Sequence, residues 1–283
     1  MALVFATATA AFAGTMAAAE AQPPSGAYVA VEGGRIWYET CGSGPKAIML
    51  IHDGVLHSAR WDDVWPILCK DFHVVRYDRR GYGRSPAATA PYSPVDDLAA
   101  VMHAASVSHT VLVGSSSGGG LAVDFTLRHP EAVDWLVLVG PAVSGLAYSQ
   151  YFIDRVTRLE QLLNKGDFDS AVRDSWCLAP GHDAARKQIV DLLRADPQDI
   201  THADPARPAP VAKPLLSTIK APTLILVGEY DVADNQAQAG AIEALIPGSK
   251  RVVVRDTGHL MYLEHPDVFA DLVERFAEGG RAR

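Results

Sequence analysis

One short turn constrains the fold of this chain more than any other segment. Residues 110–113 form an apolar run, Gly114-Ser115-Ser116-Ser117-Gly118 follows directly, and residues 119–129 carry a helical pattern. A serine with glycine two positions to either side, between a strand and a helix, reads as a sharp strand-to-helix turn. Side chains at 114 and 118 would collide where the two elements close on each other. Ser116 alone among the three serines has glycine at both of those positions. The turn lifts its hydroxyl above the strand end, and the positive end of the following helix points to the same place. That geometry suits a nucleophile. A plain glycine-rich turn is the alternative, and the strand and helix around it argue against that reading.

The remaining pattern repeats this alternation. Apolar runs occur at 28–31, 35–40, 47–51, 73–77, 110–113, 135–139, 223–227 and 251–254. The later runs are nearly continuous, as expected for strands covered on both faces. The first two, separated by Glu32-Gly33-Gly34, read as an antiparallel hairpin. Residues 94–107, 119–129, 236–245 and 266–277 look helical. The expectation is an α/β fold, with a mostly parallel eight-stranded sheet flanked by helices. The rhythm breaks at residues 142–214, where two helical patterns and five aromatic residues (Tyr148, Tyr151, Phe152, Phe168, Trp176) occur without a convincing strand. That stretch is longer than a single crossover needs. It reads as a helical cap inserted into a core of residues 22–141 and 215–283. With 283 residues and 48% hydrophobic composition, the chain suits one well-packed core with such an insert.

Residues 2–19 are uncharged and rich in Ala and Thr, and Ala19-Glu20-Ala21 has the shape of a cleavage site. Residues 1–21 therefore read as a secretory signal peptide, although no Lys or Arg precedes the apolar run. An Ala-rich tail is the alternative, and would leave the protein cytoplasmic. Export to the periplasm or medium, with no membrane span in the mature chain, is the expectation. The net charge is −8 and no basic stripe appears, which argues against nucleic acid as a partner. Cys41, Cys69 and Cys177 form no metal-binding or redox spacing. They read as structural or free thiols, with one disulfide open to an exported chain.

A serine hydroxyl needs a base, and the base needs an orienting carboxylate. The run at 223–227 leads into Gly228-Glu229-Tyr230-Asp231, and the run at 251–254 into Asp256-Thr257-Gly258-His259. Asp231 and His259 thus sit at carboxyl ends of parallel strands, where this sheet class builds its sites. Asp234 is a rival acid, Glu229 is expected to face away, and His265-Pro266 reads as a helix start. An oxyanion requires two backbone donors: the N–H of Ser117, and one from the loop after the third run, His52-Asp53-Gly54, where Gly54 is the choice. His52 reads equally well as a structural loop histidine.

Leu50-Ile51-His52-Asp53-Gly54, the Tyr77 to Ser85 segment, the Ser116 turn, Gly228 to Asp231 and Thr257-Gly258-His259 together resemble the α/β-hydrolase family with a helical cap. The resemblance covers residues 27–278. It implies a Ser116, Asp231, His259 triad and an oxyanion hole of Gly54 and Ser117. The family commonly has His-Gly-X where this chain has His52-Asp53-Gly54, and Gly54 still occupies the third position. Val55, Trp61 and Tyr151 are expected to line the substrate pocket, and Asp78 and Arg79 to be structural. Residues 52–62 are similar to the subgroup containing 3-oxoadipate enol-lactone hydrolases. No metal or cofactor is implied.

The fold alone does not choose the reaction. Serine at the turn excludes the family's epoxide hydrolases and haloalkane dehalogenases, which carry a carboxylate there. The reading is a serine hydrolase for a small, fairly apolar carboxylic ester or lactone. A C–C hydrolase acting on a diketone through the same triad and a ligand receptor on the same fold are the alternatives.

Overall fold

The computed structural model describes residues 25–201 and 204–279. The leader-like residues 1–21 lie outside the described residues. The eight strands are β1 (Ser25–Val31), β2 (Gly34–Cys41), β3 (Ala47–Ile51), β4 (His73–Tyr77), β5 (Thr110–Ser115), β6 (Val133–Val139), β7 (Thr223–Gly228) and β8 (Lys250–Val254). The helices are α1 (Trp65–Leu68), α2 (Pro94–Ala104), α3 (Ser117–Arg128), α4 (Gln150–Asn164) and α5 (Phe168–Arg173). They continue as α6 (Asp183–Ala195), α7 (Gln198–Thr201), α8 (Ala233–Leu245), α9 (Met261–Glu264) and α10 (Pro266–Ala277).

All eight strands join one sheet in the order β1-β2-β4-β3-β5-β6-β7-β8. β1 and β2 form the expected hairpin, and from β4 to β8 every pairing is parallel. Alternate residues of the central strands serve two different cores. On β3, Ile48 and Leu50 pack with α10 (Phe269, Val273), while Met49 and Ile51 pack with α2 and α3 (Leu98, Phe125). Val111 and Val113 of β5 take the first side and Leu112 the second. Burial on both faces is the physical reason these strands read as continuous apolar runs.

The order reverses at β3, which has β4 on one side and β5 on the other. A crevice forms at such a switch, beyond the carboxyl ends of the two strands. Pairing Ile51 with Gly114 sets the loop after β3 beside the Ser116 turn. Between β6 and β7 the described residues form no strand. Helices α4 to α7 and a 3₁₀ turn, Lys213–Thr218, occupy that stretch. Sequence periodicity located α4 and α6 to within a residue or two. The shorter α5 and α7 were not expected, because one or two turns show too little periodicity to register.

Arg80, in the loop after β4, is buried with Asp97 of α2. Its Nε and Nη2 donate to the two carboxylate oxygens at 2.6 and 2.8 Å, and Nη2 also donates to the Glu32 carbonyl at 2.7 Å. This one guanidinium joins the hairpin, the sheet and α2. Removing one partner of a buried pair strands the other charge. Asp97→Ala should cost about 3–5 kcal/mol in urea denaturation, with the m-value unchanged.

Cys41 and Cys69 are joined as a disulfide, their Cα atoms 5.5 Å apart, and Cys177 is free. Of the two readings the sequence left open, free or structural thiols and one disulfide, the disulfide holds for these two. Spacing in sequence did not show that the end of β2 meets the end of α1. Denatured, unreduced protein should show one titratable thiol, and three after reduction.

Candidate active site

Ser116 holds backbone angles of φ 53° and ψ −118°, a region that costs a residue with a side chain of order 1–3 kcal/mol. Hydrogen bonds on both sides hold it there. Its N–H donates to the Val139 carbonyl at 2.9 Å, and its carbonyl accepts from the N–H groups of Gly119, Gly120 and Ala142. A Cβ on Gly114 would overlap the Gly118 carbonyl, and one on Gly118 would overlap the His52 carbonyl. Both glycines are therefore required, as the sequence pattern indicated.

Asp231 follows β7 and His259 follows β8, and both are buried. The His259 Nδ1–H donates to Asp231 Oδ2 at 2.8 Å, which leaves Nε2 as the unprotonated nitrogen. The other oxygen of Asp231 accepts from the Val232 N–H at 2.8 Å and from Asn235 Nδ2 at 2.7 Å. A carboxylate with this many donors is fixed in place. The Asn235 contact with Asp231 is one that sequence reading missed. Asn235 lies one helical turn beyond Asp231, where an Asn carries no signal of its own. The two loops are tied together by Tyr230 N–H donating to the Thr257 carbonyl at 2.8 Å. Gly140, at φ 48°, leaves room for the imidazole, since a Cβ there would sit 2.7 Å from His259 Cε1.

The rival residues are engaged elsewhere. Asp234 accepts from the N–H and hydroxyl of Ser149 at the start of α4. Glu229 accepts from the Asp256 N–H. His265 precedes α10, with Pro266 in the first turn as expected.

The loop after β3 is locked by its own side chains. His52 Nε2 accepts from the Arg79 N–H at 2.9 Å, so its Nδ1 carries the proton and donates to the Asp53 carbonyl at 2.7 Å. This is a neutral structural histidine. Asp53 Oδ1 accepts from the N–H groups of Val55 and Leu56 at 2.7 and 3.3 Å. Its Oδ2 pairs with the buried Arg60 and receives the Tyr262 hydroxyl at 3.4 Å. Burial pulls Arg60 below the ordinary arginine pKa and pushes the Tyr262 phenol up. Tyr262 also meets Ser115 Oγ at 3.2 Å, so this buried network runs beneath the Ser116 turn. Arg79, expected to be structural, donates to Ser117 Oγ at 2.9 Å.

Ser116, His259, Gly54, Ser117 and Val55 all line one cavity of about 420 Å³. Its far wall comes from the helical stretch and is mostly apolar, through Phe152, Leu159, Leu163, Val172 and Ile189, with Glu160 and Asn164 also lining it. Two pocket expectations are corrected. Trp61 is fully buried in the core, stacked near Tyr262 and Phe269, and does not line the cavity. Tyr151 is 59% exposed and accepts a hydrogen bond from Arg155. The rotation of α4 turns Phe152 inward instead, with Tyr148 stacked 4.3 Å from it. The sequence marked an aromatic cluster but not which face of the helix meets the sheet.

This arrangement accompanies close likeness to known hydrolases. A sequence model described as the alpha/beta hydrolase family matches residues 48–272. The chain belongs to this family. It is 26% identical over 260 residues to a pimeloyl-[acyl-carrier protein] methyl ester esterase of Edwardsiella ictaluri, covering 86% of this chain and 98% of that one. It is 28% identical to the 2-hydroxy-6-oxononadienedioate/2-hydroxy-6-oxononatrienedioate hydrolase of Escherichia coli, covering 86% and 90%. Among solved structures, Est816, described as an N-acyl homoserine lactone degrading enzyme, matches with a TM-score of 0.72 and 28% identity. That match covers 88% of this chain and all of that one. The enol-lactonase of Burkholderia xenovorans LB400 shares the fold, with a TM-score of 0.75 at 24% identity. Among the described residues no helix is long and apolar enough to cross a membrane.

One contact couples the helical wall to the sheet. His57 Nδ1 meets Asp199 Oδ2 of α7 at 2.8 Å, and Asp199 Oδ1 accepts from the Gly83 N–H at 2.7 Å. Burial disfavours the charged ring. The hydrogen bond to Asp199 and the charges of Asp199, Asp78 and Asp196 outweigh it, raising the His57 pKa above its ordinary 6.5. Stability from this raised value is fully present below pH 6.5 and is lost as pH rises through the folded-state value. The stability gap between wild type and His57→Asn should therefore widen in acid and narrow in alkali. Urea denaturation across that pH range measures it, and a pH-independent gap would remove the linkage.

Proposed function

We propose that the protein is a serine hydrolase that cleaves a small carboxylic ester or lactone through an acyl-enzyme. The observation that carries this reading is a single cavity. It holds Ser116 on its strained turn together with His259, which is oriented by Asp231. His259 Nε2 takes the proton from Ser116 Oγ as the oxygen attacks the carbonyl carbon. The tetrahedral oxyanion is received by the backbone N–H groups of Gly54 and Ser117. His259 then returns the proton to the leaving alkoxide. Water, deprotonated by the same nitrogen, attacks the acyl carbon and frees Ser116. Asp231 remains ionised and stabilises the imidazolium at each stage.

The substrate side follows from the walls. Residues 142–214 act as a cap that supplies apolar surface over the nucleophile, which suits a small, fairly apolar acyl or alkoxy group. The buried Arg60 is matched by Asp53, so the cavity holds no uncompensated cation at that point for an anionic substrate. That balance favours esters and lactones over the dicarboxylate named for the Escherichia coli relative. We also read the protein as exported. The Cys41–Cys69 bond suits an oxidising compartment.

Ser116→Ala should lower kcat on p-nitrophenyl esters by at least ~10³-fold while the circular dichroism stays unchanged. Near-normal turnover by that variant would remove Ser116 from the mechanism. A panel of short esters, lactones and diketones separates this reading from C–C cleavage.

A further inference from the structure

Next to the His259 loop, three potential metal-binding side chains converge from three elements. His182 immediately precedes α6, Asp256 follows β8, and His265 immediately precedes α10. Asp256 Oδ2 lies 3.6 Å from His182 Nε2 and 3.4 Å from His265 Nε2. One ligand atom from each residue fits within 4.8 Å of the others. The imidazole rings stand nearly perpendicular, with centroids 5.1 Å apart.

Two imidazoles and a carboxylate form a donor set that suits zinc. Tetrahedral zinc, with bonds of about 2.0–2.2 Å, places neighbouring donors about 3.3 Å apart. The two carboxylate-to-imidazole separations already approach that value. The surrounding backbone is also held in place. Glu264 accepts from the Ala179 N–H at 2.5 Å, in the segment that leads to His182, and from the Gly258 N–H at 2.7 Å, in the loop that carries Asp256. The side chains of His182, Asp256 and His265 are 16%, 64% and 34% exposed, so an ion reaches them from solvent.

We propose that His182, Asp256 and His265 bind one zinc ion, with water completing four-coordination. On binding, His182 exchanges its 3.1 Å hydrogen bond to the Asp256 carbonyl for the metal. The ion joins the helical stretch to the loop that carries His259. The contacts Leu260 N–H to the Cys177 carbonyl and His259 N–H to the Trp176 carbonyl already connect the same segments. Sequence spacing concealed the group, because residues 182, 256 and 265 form no ligand motif.

Calorimetric titration of the full chain with ZnCl₂ tests the site, with metal-free circular dichroism recorded for every variant. Wild type should take up zinc at one site, with no matching uptake of Mg²⁺, and its Tm should rise with zinc. His182→Ala and Asp256→Asn should each weaken that uptake by at least ~10-fold and abolish the Tm rise. Asparagine tolerates the left-handed backbone at position 256, φ 53°, so Asp256→Asn reads the carboxylate without disturbing the fold. His109→Ala removes an exposed histidine that lies 3.6 Å from Asp134, and should leave uptake unchanged. Zinc uptake by both site variants equal to wild type, or no stoichiometric uptake by wild type, overturns the proposal.

Discussion

The backbone at Ser116 is the constraint around which the rest of the molecule is arranged. A serine at φ 53° does not stay there by its own preference. Its N–H is held by β6 and its carbonyl by the first turn of α3 and by Ala142. Those bonds exist only because β5 and β6 pair in register up to Ser115 and Val139. The strain is thus carried by the sheet. Gly114 and Gly118 let strand, helix and the β3 loop approach closely enough to do so.

A buried polar network supports that turn from below. Ser115, Tyr262, Asp53 and Arg60 form a continuous set of contacts at the base of the cavity. Asp53, in the loop after β3, is central to it. Its carboxylate holds the loop through the Val55 and Leu56 amides and balances a buried guanidinium. A carboxylate so engaged is structural, and it balances the Arg60 charge at the base of the cavity. His52 and Arg79 brace the same loop from the other side.

The contacts between the helical stretch and the sheet show a different economy. They combine polar contacts, His57 with Asp199, Ser149 with Asp234 and Glu264 with the Ala179 amide, with apolar residues such as Leu163, Val172 and Ile189 that share one buried cluster with the strands. The mostly apolar wall that this stretch presents bounds the space above Ser116. Groups in the sheet and groups in the helices therefore divide the work. Rigid strand ends hold the atoms proposed to react, and the helices determine what fits against them.

The local pattern of the chain was enough to identify the Ser116 turn, the strands, and the placement of Asp231 and His259 at strand ends. Each of these rests on neighbours within a few residues: glycine at two positions, continuous apolar runs, or a loop directly after a strand. The tertiary structure alone decided the sheet order, the Cys41–Cys69 pairing, the Asn235 contact and the Arg60–Asp53 pair. It also decided that Phe152 rather than Tyr151 faces the cavity and that Trp61 belongs to the core. Those outcomes depend on helix rotation and on which distant strands become neighbours. A shift of one residue along a helix turns a side chain by about 100°, from the cavity to the solvent, and composition is blind to that angle.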